Sequence, residues 1–170
     1  AKGSLNFFDT PFGRGEEGIP INGLVWMGTF EEMFERLEAK LKAGFRCVKL
    51  KIGAIDFDRE LQLIRHIRST FSRNDVELRV DANGGFTPKE ALSRMEALVQ
   101  YDIHSIEQPI KQHQWTEMAR LCAATPLPIG LDEELIGVNE RQKKIELLDT
   151  IRPQYIVLKP SLHGGMAGTK

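Results

Sequence analysis

The sequence is short of cysteine, of aromatic residues and of excess charge, and each shortage argues against a class of protein. Its 170 residues hold two cysteines, Cys47 and Cys122, with no Cys-x-x-Cys pair and no Cys/His cluster. A disulfide framework and a structural zinc site are therefore disfavoured, and free thiols in a reducing, cytoplasmic setting are expected. Net charge is −1, which gives no electrostatic reason to expect nucleic acid or an anionic membrane as a partner. No apolar run approaches the roughly 20 residues that span a bilayer. Gly84-Gly85 and Gly164-Gly165 lack the Gly-x-Gly-x-x-Gly spacing, so the phosphate turn that an open doubly wound sheet needs is missing. Residues 1–20 lack the basic-then-apolar order of a signal peptide, and their Gly, Pro and charged residues read as loop.

What is present is a regular alternation of strand and helix signals. Thr29 and Glu32 form one capping box, and Thr87-Pro88-Lys89-Glu90 forms a second with Pro at the first helical position. Phe30, Met33, Phe34, Leu37 and Leu41 recur at helical spacing, and Gly44 is placed to end that helix. Asp56 or Asp58 can cap the next helix, and Asn139 is expected to cap a later one through Leu148. Short apolar runs predict strands over 47–52, 76–80, 103–106, 129–131 and 155–159, after a first one within 21–27. Their ends at Lys51, Asp81, Glu107, Asp132 and Lys159 recur roughly every 25–30 residues, about one βα unit. The pattern predicts an α/β architecture with a parallel sheet.

Every one of those ends is charged and out of phase with the apolar residues before it. Side chains alternate between the two faces of a strand, so Val48, Leu50 and Ile52 point one way and Lys49 and Lys51 the other. A single Asp or Glu after a strand is most often a helix cap or turn residue. Five in phase form the pattern of a (β/α) barrel, whose chemistry gathers at the carboxyl ends of several strands. Asp81, Glu107 and Asp132 come from consecutive strands and converge, and three carboxylates together call for a cation. An all-oxygen set suits Mg²⁺, with Mn²⁺ as the alternative, because His66, His104, His113 and His163 are out of phase with the strand ends. Lys49 and Lys51 flank this acidic centre on one side and Lys159 on the other. A cation between amines suits removal of a proton next to a carboxylate, with the cation taking up the developing charge. Lys49 is expected to tune Lys51 as a neighbouring like charge.

Lys-x-Lys, Val-Asp-Ala-Asn, Ile-Glu-Gln-Pro, Leu-Asp-Glu and Leu-Lys-Pro, in this order over about residues 20–168, resemble the enolase superfamily, muconate-lactonizing subgroup. The resemblance implies Asp81, Glu107 and Asp132 as Mg²⁺ ligands and Lys51 and Lys159 as the acid/base pair. It further implies substrate contacts at Asn83, Ser161 and Gly164. Lys-Pro-Ser-Leu-His-Gly-Gly and Ile-Asn-Gly-Leu-Val-Trp-Met-Gly look most like the o-succinylbenzoate synthase branch. That likeness implies a lyase of menaquinone synthesis that dehydrates a small cyclohexadiene carboxylate. A dipeptide epimerase or N-acylamino acid racemase begins with the same proton abstraction and is the alternative; a non-catalytic barrel scaffold is a third reading. The family barrel has eight strands and a separate capping domain. The expectation here is a partial (β/α) TIM-type barrel of about six strands over 21–170, with 1–20 a linker or tail of a missing capping domain.

Overall fold

A computed structural model describes residues 8–169. Six strands alternate with helices: β1 (Gly23–Val25), α1 (Phe30–Lys42), β2 (Cys47–Lys51), α2 (Phe57–Thr70), β3 (Glu77–Asp81), α3 (Pro88–Val99), β4 (Ile103–Glu107), α4 (Trp115–Ala124), β5 (Ile129–Leu131), α5 (Arg141–Ile151), β6 (Tyr155–Ile156) and α6 (Gly165–Thr169). The strands lie in sequence order, all parallel. Sequential parallel order is that of a (β/α) barrel, here six strands of one, and not of a doubly wound sheet. No helix among the described residues is long and apolar enough to cross a membrane.

Local sequence fixes where the helices begin. The Thr29 N–H donates to Glu32 Oε2 at 2.9 Å and the Glu32 N–H to Thr29 Oγ1 at 3.3 Å, which closes the first capping box. The Thr87 N–H donates to Glu90 Oε1 at 3.0 Å, with Pro88 opening α3. Asp56, not Asp58, caps α2. Two expectations need correction. Asn139 does not cap α5: the helix opens one residue later, at Glu140, whose carbonyl accepts from Lys144 N at 3.1 Å. The last strand is two residues long instead of reaching Lys159, because β5 ends at Leu131 and leaves β6 no longer partner than that.

The core lies between the outer face of the sheet and the helices. Val48, Leu50, Leu78, Val80, Ile106, Ile129 and Leu131 are buried there against Leu37, Leu63, Ile67, Met95, Leu98, Leu121 and Leu147. Burial of this kind stabilises by about 1.5–3 kcal/mol per large side chain. It also fixes the phase of every strand, since a one-residue slip would send the apolar set to the charged face. β4 carries an irregularity: Leu78 pairs with Ile103 but Arg79 with Ser105, so His104 is the extra residue of a bulge. The bulge lets both Ile103 and Ile106 face the helices while Ser105 and Glu107 face inward.

Two loops at the carboxyl end of the sheet meet backbone to backbone. A Cβ on Gly85 would stand 2.9 Å from the Ala82 carbonyl oxygen and 3.0 Å from that of Gly53. Gly53 itself has φ +85°, and a Cβ there would lie 3.2 Å from Gly85 Cα. The buried Glu60 carboxylate holds the same loop from beneath, its Oε1 accepting from the N–H groups of Gly53 (2.7 Å), Ala54 (3.3 Å) and Ile55 (3.4 Å). Burial pushes the Glu60 carboxyl up, against the pull of those N–H groups and Arg94.

Candidate active site

The charged strand ends meet in one row because parallel register aligns them. Lys51 pairs with Asp81 and Asp81 with Glu107 across β2, β3 and β4; Lys49, Arg79 and Ser105 form the row beneath. Glu107 pairs with Gly130, and Asp132 lies two residues further on, just past the end of β5. A cavity of about 350 Å³ lies beside the row, lined by Lys49, Arg79, Ser105, Glu107, Gly130 and Tyr155 among others.

Lys51 is held from three directions. Its Nζ donates to Asp81 Oδ2 at 2.6 Å and to Asn83 Oδ1 at 2.7 Å, and it stands 5.2 Å from the centre of the Trp26 ring. Arg36 fixes that approach by donating to the carbonyls of Trp26 (3.1 Å) and Met27 (2.9 Å). Lys49 Nζ lies 3.0 Å from Asp81 Oδ2 and 2.9 Å from Glu107 Oε2. Burial pulls the Lys49 ammonium down, but Glu107 and Asp81 outweigh it and the pKa is raised. Lys49 is thus a fixed positive charge between two carboxylates. At the other end of the row Lys159 pairs with Asp132 Oδ2. The Lys159 N–H donates to His163 Nδ1 at 3.3 Å, so this buried histidine props the backbone of Lys159.

The carboxylates respond unequally. Burial would raise the Asp81 carboxyl, but Lys51 and Lys49 hold it below the usual range. Burial and the adjacent Asp81 push Glu107 up to about 7 against the pull of Lys49. Asp132 Oδ1 is buried without a hydrogen-bond partner. Among the described residues no group of three or more His, Cys, Asp or Glu stands in ready metal-binding geometry. The donor set nevertheless fits a hard cation: three acidic side chains at adjacent strand ends, one oxygen left over, and an ammonium already standing between two of them.

Of the expected substrate contacts, Asn83 alone joins the row. Its Oδ1 accepts from Lys51 and its Nδ2 donates to Glu133 Oε1 at 2.7 Å. Ser161 is exposed on the 3₁₀ turn Pro160–Leu162. Gly164 lines a different cavity, of about 790 Å³, with Lys144, Leu148 and His163. Sequence reasoning passed over four residues that build the site: Trp26, Gln108, Glu133 and Glu134. The signal for Gln108 was present, a long amide between a charged strand end and a proline, but nothing in its spacing said what it binds.

The sequence model of the "Enolase C-terminal domain-like" family matches residues 32–170. The chain is 58% identical to an o-succinylbenzoate synthase of Desulfotalea psychrophila over 163 residues, covering 96% of this chain and 44% of that protein. It is 32% identical to an L-Ala-D/L-Glu epimerase of Bacillus subtilis, covering 82% of this chain and 38% of that one. Among solved structures, MenC from Desulfotalea psychrophila LSv54 superposes with a TM-score of 0.85 at 54% identity, covering 98% of this chain and 46% of that one. A substrate-liganded L-Ala-D/L-Glu epimerase from Bacillus subtilis superposes with a TM-score of 0.77 at 30% identity, covering 89% and 42%. The chain spans less than half the length of the curated relatives it matches.

Proposed function

The chain belongs to the enolase C-terminal domain-like family, and from that premise we propose that it carries the proton-transfer and cation-binding residues of an o-succinylbenzoate synthase-type lyase. The observation that carries this reading is the pair of lysines held at opposite ends of one carboxylate row, Lys51 on Asp81 and Lys159 on Asp132. The likeness to an o-succinylbenzoate synthase at 58% identity, against 32% for an epimerase, supports the choice of reaction.

In this reading Asp81, Glu107 and Asp132 would hold Mg²⁺, which would supply positive charge beside the substrate carboxylate. Lys51, as the neutral amine, takes the proton α to that carboxylate. The C–H electron pair forms the new double bond, and the neighbouring hydroxyl leaves on the same face as water, taking the proton that Lys51 received. Lys159, as the ammonium, faces the developing negative charge from the other side. Lys49 keeps Asp81 and Glu107 charge-balanced, and Asn83 fixes the Lys51 amine while Glu133 fixes Asn83. Asn83, Ser161 and Gly164 are the proposed substrate contacts. The free thiols Cys47 and Cys122 support a cytoplasmic location.

The test is turnover by the intact protein. With Mg²⁺ and the cyclohexadiene carboxylate substrate, dehydration is expected and disappears on chelation of the metal. Epimerisation of an Ala-Glu dipeptide without dehydration would move the assignment to the epimerases.

A further inference from the structure

Gln108 follows Glu107 directly, is fully buried and has φ +40°, a left-handed backbone conformation that a residue with a side chain adopts only where its surroundings impose it. Those surroundings engage both ends of its amide. Oε1 accepts from the backbone N–H groups of Asp132 and Glu134, each at 3.2 Å. Nε2 donates to the Ile110 carbonyl at 3.0 Å and to Glu134 Oε2 at 3.4 Å. Glu134 is buried too and accepts from His113 N at 2.8 Å. The main chain of Gln108 donates to Gly130 O at 2.8 Å and accepts from Gly84 N at 2.7 Å. One residue thus ties together the exits of β3, β4 and β5, the strands that lead to Asp81, Glu107 and Asp132.

We propose that Gln108 is a positioning residue for the cation site: its amide, oriented by Glu134, fixes the backbone of Asp132 and so the separation of the Asp132 and Glu107 carboxylates. The inference rests on the reading of Asp81, Glu107 and Asp132 as ligands of a divalent cation. Asp132 lies just past β5 in an irregular conformation, φ −123° and ψ −77°, where no strand ladder holds it. Without Oε1 the N–H groups of Asp132 and Glu134 would be buried with no acceptor, and the turn would move to find one. Mg²⁺ demands near-ideal octahedral geometry and tolerates such a shift poorly.

Mn²⁺ binding to the intact protein, read from the electron paramagnetic resonance of free Mn²⁺, tests this beside urea unfolding. Gln108→Met keeps length and burial but offers no acceptor oxygen, and it should weaken Mn²⁺ binding about 10- to 100-fold. Glu134→Gln leaves residue 108 in place but sets two amide NH₂ groups against each other; it should weaken binding in the same direction, and it decides alone if Gln108→Met does not fold. Leu98→Ala, a core truncation in α3, should lose stability and keep the Mn²⁺ affinity. Unchanged affinity in the folded variants, or an equal loss in Leu98→Ala, overturns the proposal. No Mn²⁺ binding by the unmutated protein would instead overturn the cation reading beneath it.

Discussion

Lys51 closes a five-residue strand with neighbours on both sides, whereas Lys159 lies beyond a two-residue strand at the edge of the sheet. The Lys51 side chain is 8% exposed and the Lys159 side chain 41%. Lys51 meets a carboxylate, an amide oxygen and an indole face; Lys159 meets a carboxylate, with His163 bracing its main chain. Two amines proposed for one reaction are thus held by different means. The sheet itself places Lys51, and its ion pair is part of the folded core. A turn places Lys159, and its ion pair is close to solvent. A base needs a fixed attack geometry, whereas a stabilising cation can act over a wider range of positions.

The largest expected difference between the two corners is chemical. Lys51→Ala should lower α-proton exchange of the substrate with D₂O about 10²- to 10⁴-fold in the intact protein. Lys159→Ala should retain exchange at a rate above that of Lys51→Ala. Exchange followed by proton NMR that survives in Lys51→Ala, or falls equally in both, breaks the division of roles.

A second difference is energetic. Asp81→Ala leaves Lys51 buried without its carboxylate and should destabilise by about 3–5 kcal/mol. Asp132→Ala leaves the half-exposed Lys159, which water can solvate, and should change stability by about 0–1 kcal/mol. Urea unfolding of both variants measures this; equal losses would mean that the edge corner is as structural as the inner one.

The smallest effect sharpens the comparison within the inner corner. Burial holds the Glu60 carboxyl above its ordinary value beneath the loop that follows Lys51. A raised native pKa adds stability that is complete at low pH and fades as pH rises through the native value. Glu60→Gln does not titrate, so its melting temperature should gain on the unmutated protein across the pH range above the ordinary glutamate value of about 4.3. A difference that stays constant across that range would show that Glu60 is not perturbed in the fold.

The placement of the row was legible because two simple rules act together: side chains alternate along a strand, and parallel strands align. Lys51, Asp81 and Glu107 obey both, so their meeting followed from phase alone. Lys49 shows the limit. Sequence proximity pointed to Lys51, with which it shares Asp81 Oδ2, but its second partner, Glu107 on β4, did not follow from proximity. The bulge at His104 left a trace in the hydrophobic pattern, since strict alternation would put Ile103 and Ile106 on opposite faces, though both are buried. Gln108 and Glu134 were silent for another reason. They act through backbone N–H groups and carbonyls, which every sequence has, so no residue type announces the partner. The short β6 was hidden because its length depends on where β5 stops.

The contact of Gly53 with Gly85 bears on how this site can diverge. Any side chain at position 85 would collide with two carbonyl oxygens, and one at position 53 would press on the facing backbone in a conformation that side chains resist. Neither glycine can gain a side chain without moving the facing backbone, so this contact beside Lys51 and Asp81 resists single substitution. New substrate preferences are more readily written elsewhere on the rim, as at Ser161 after β6, which is exposed on its turn.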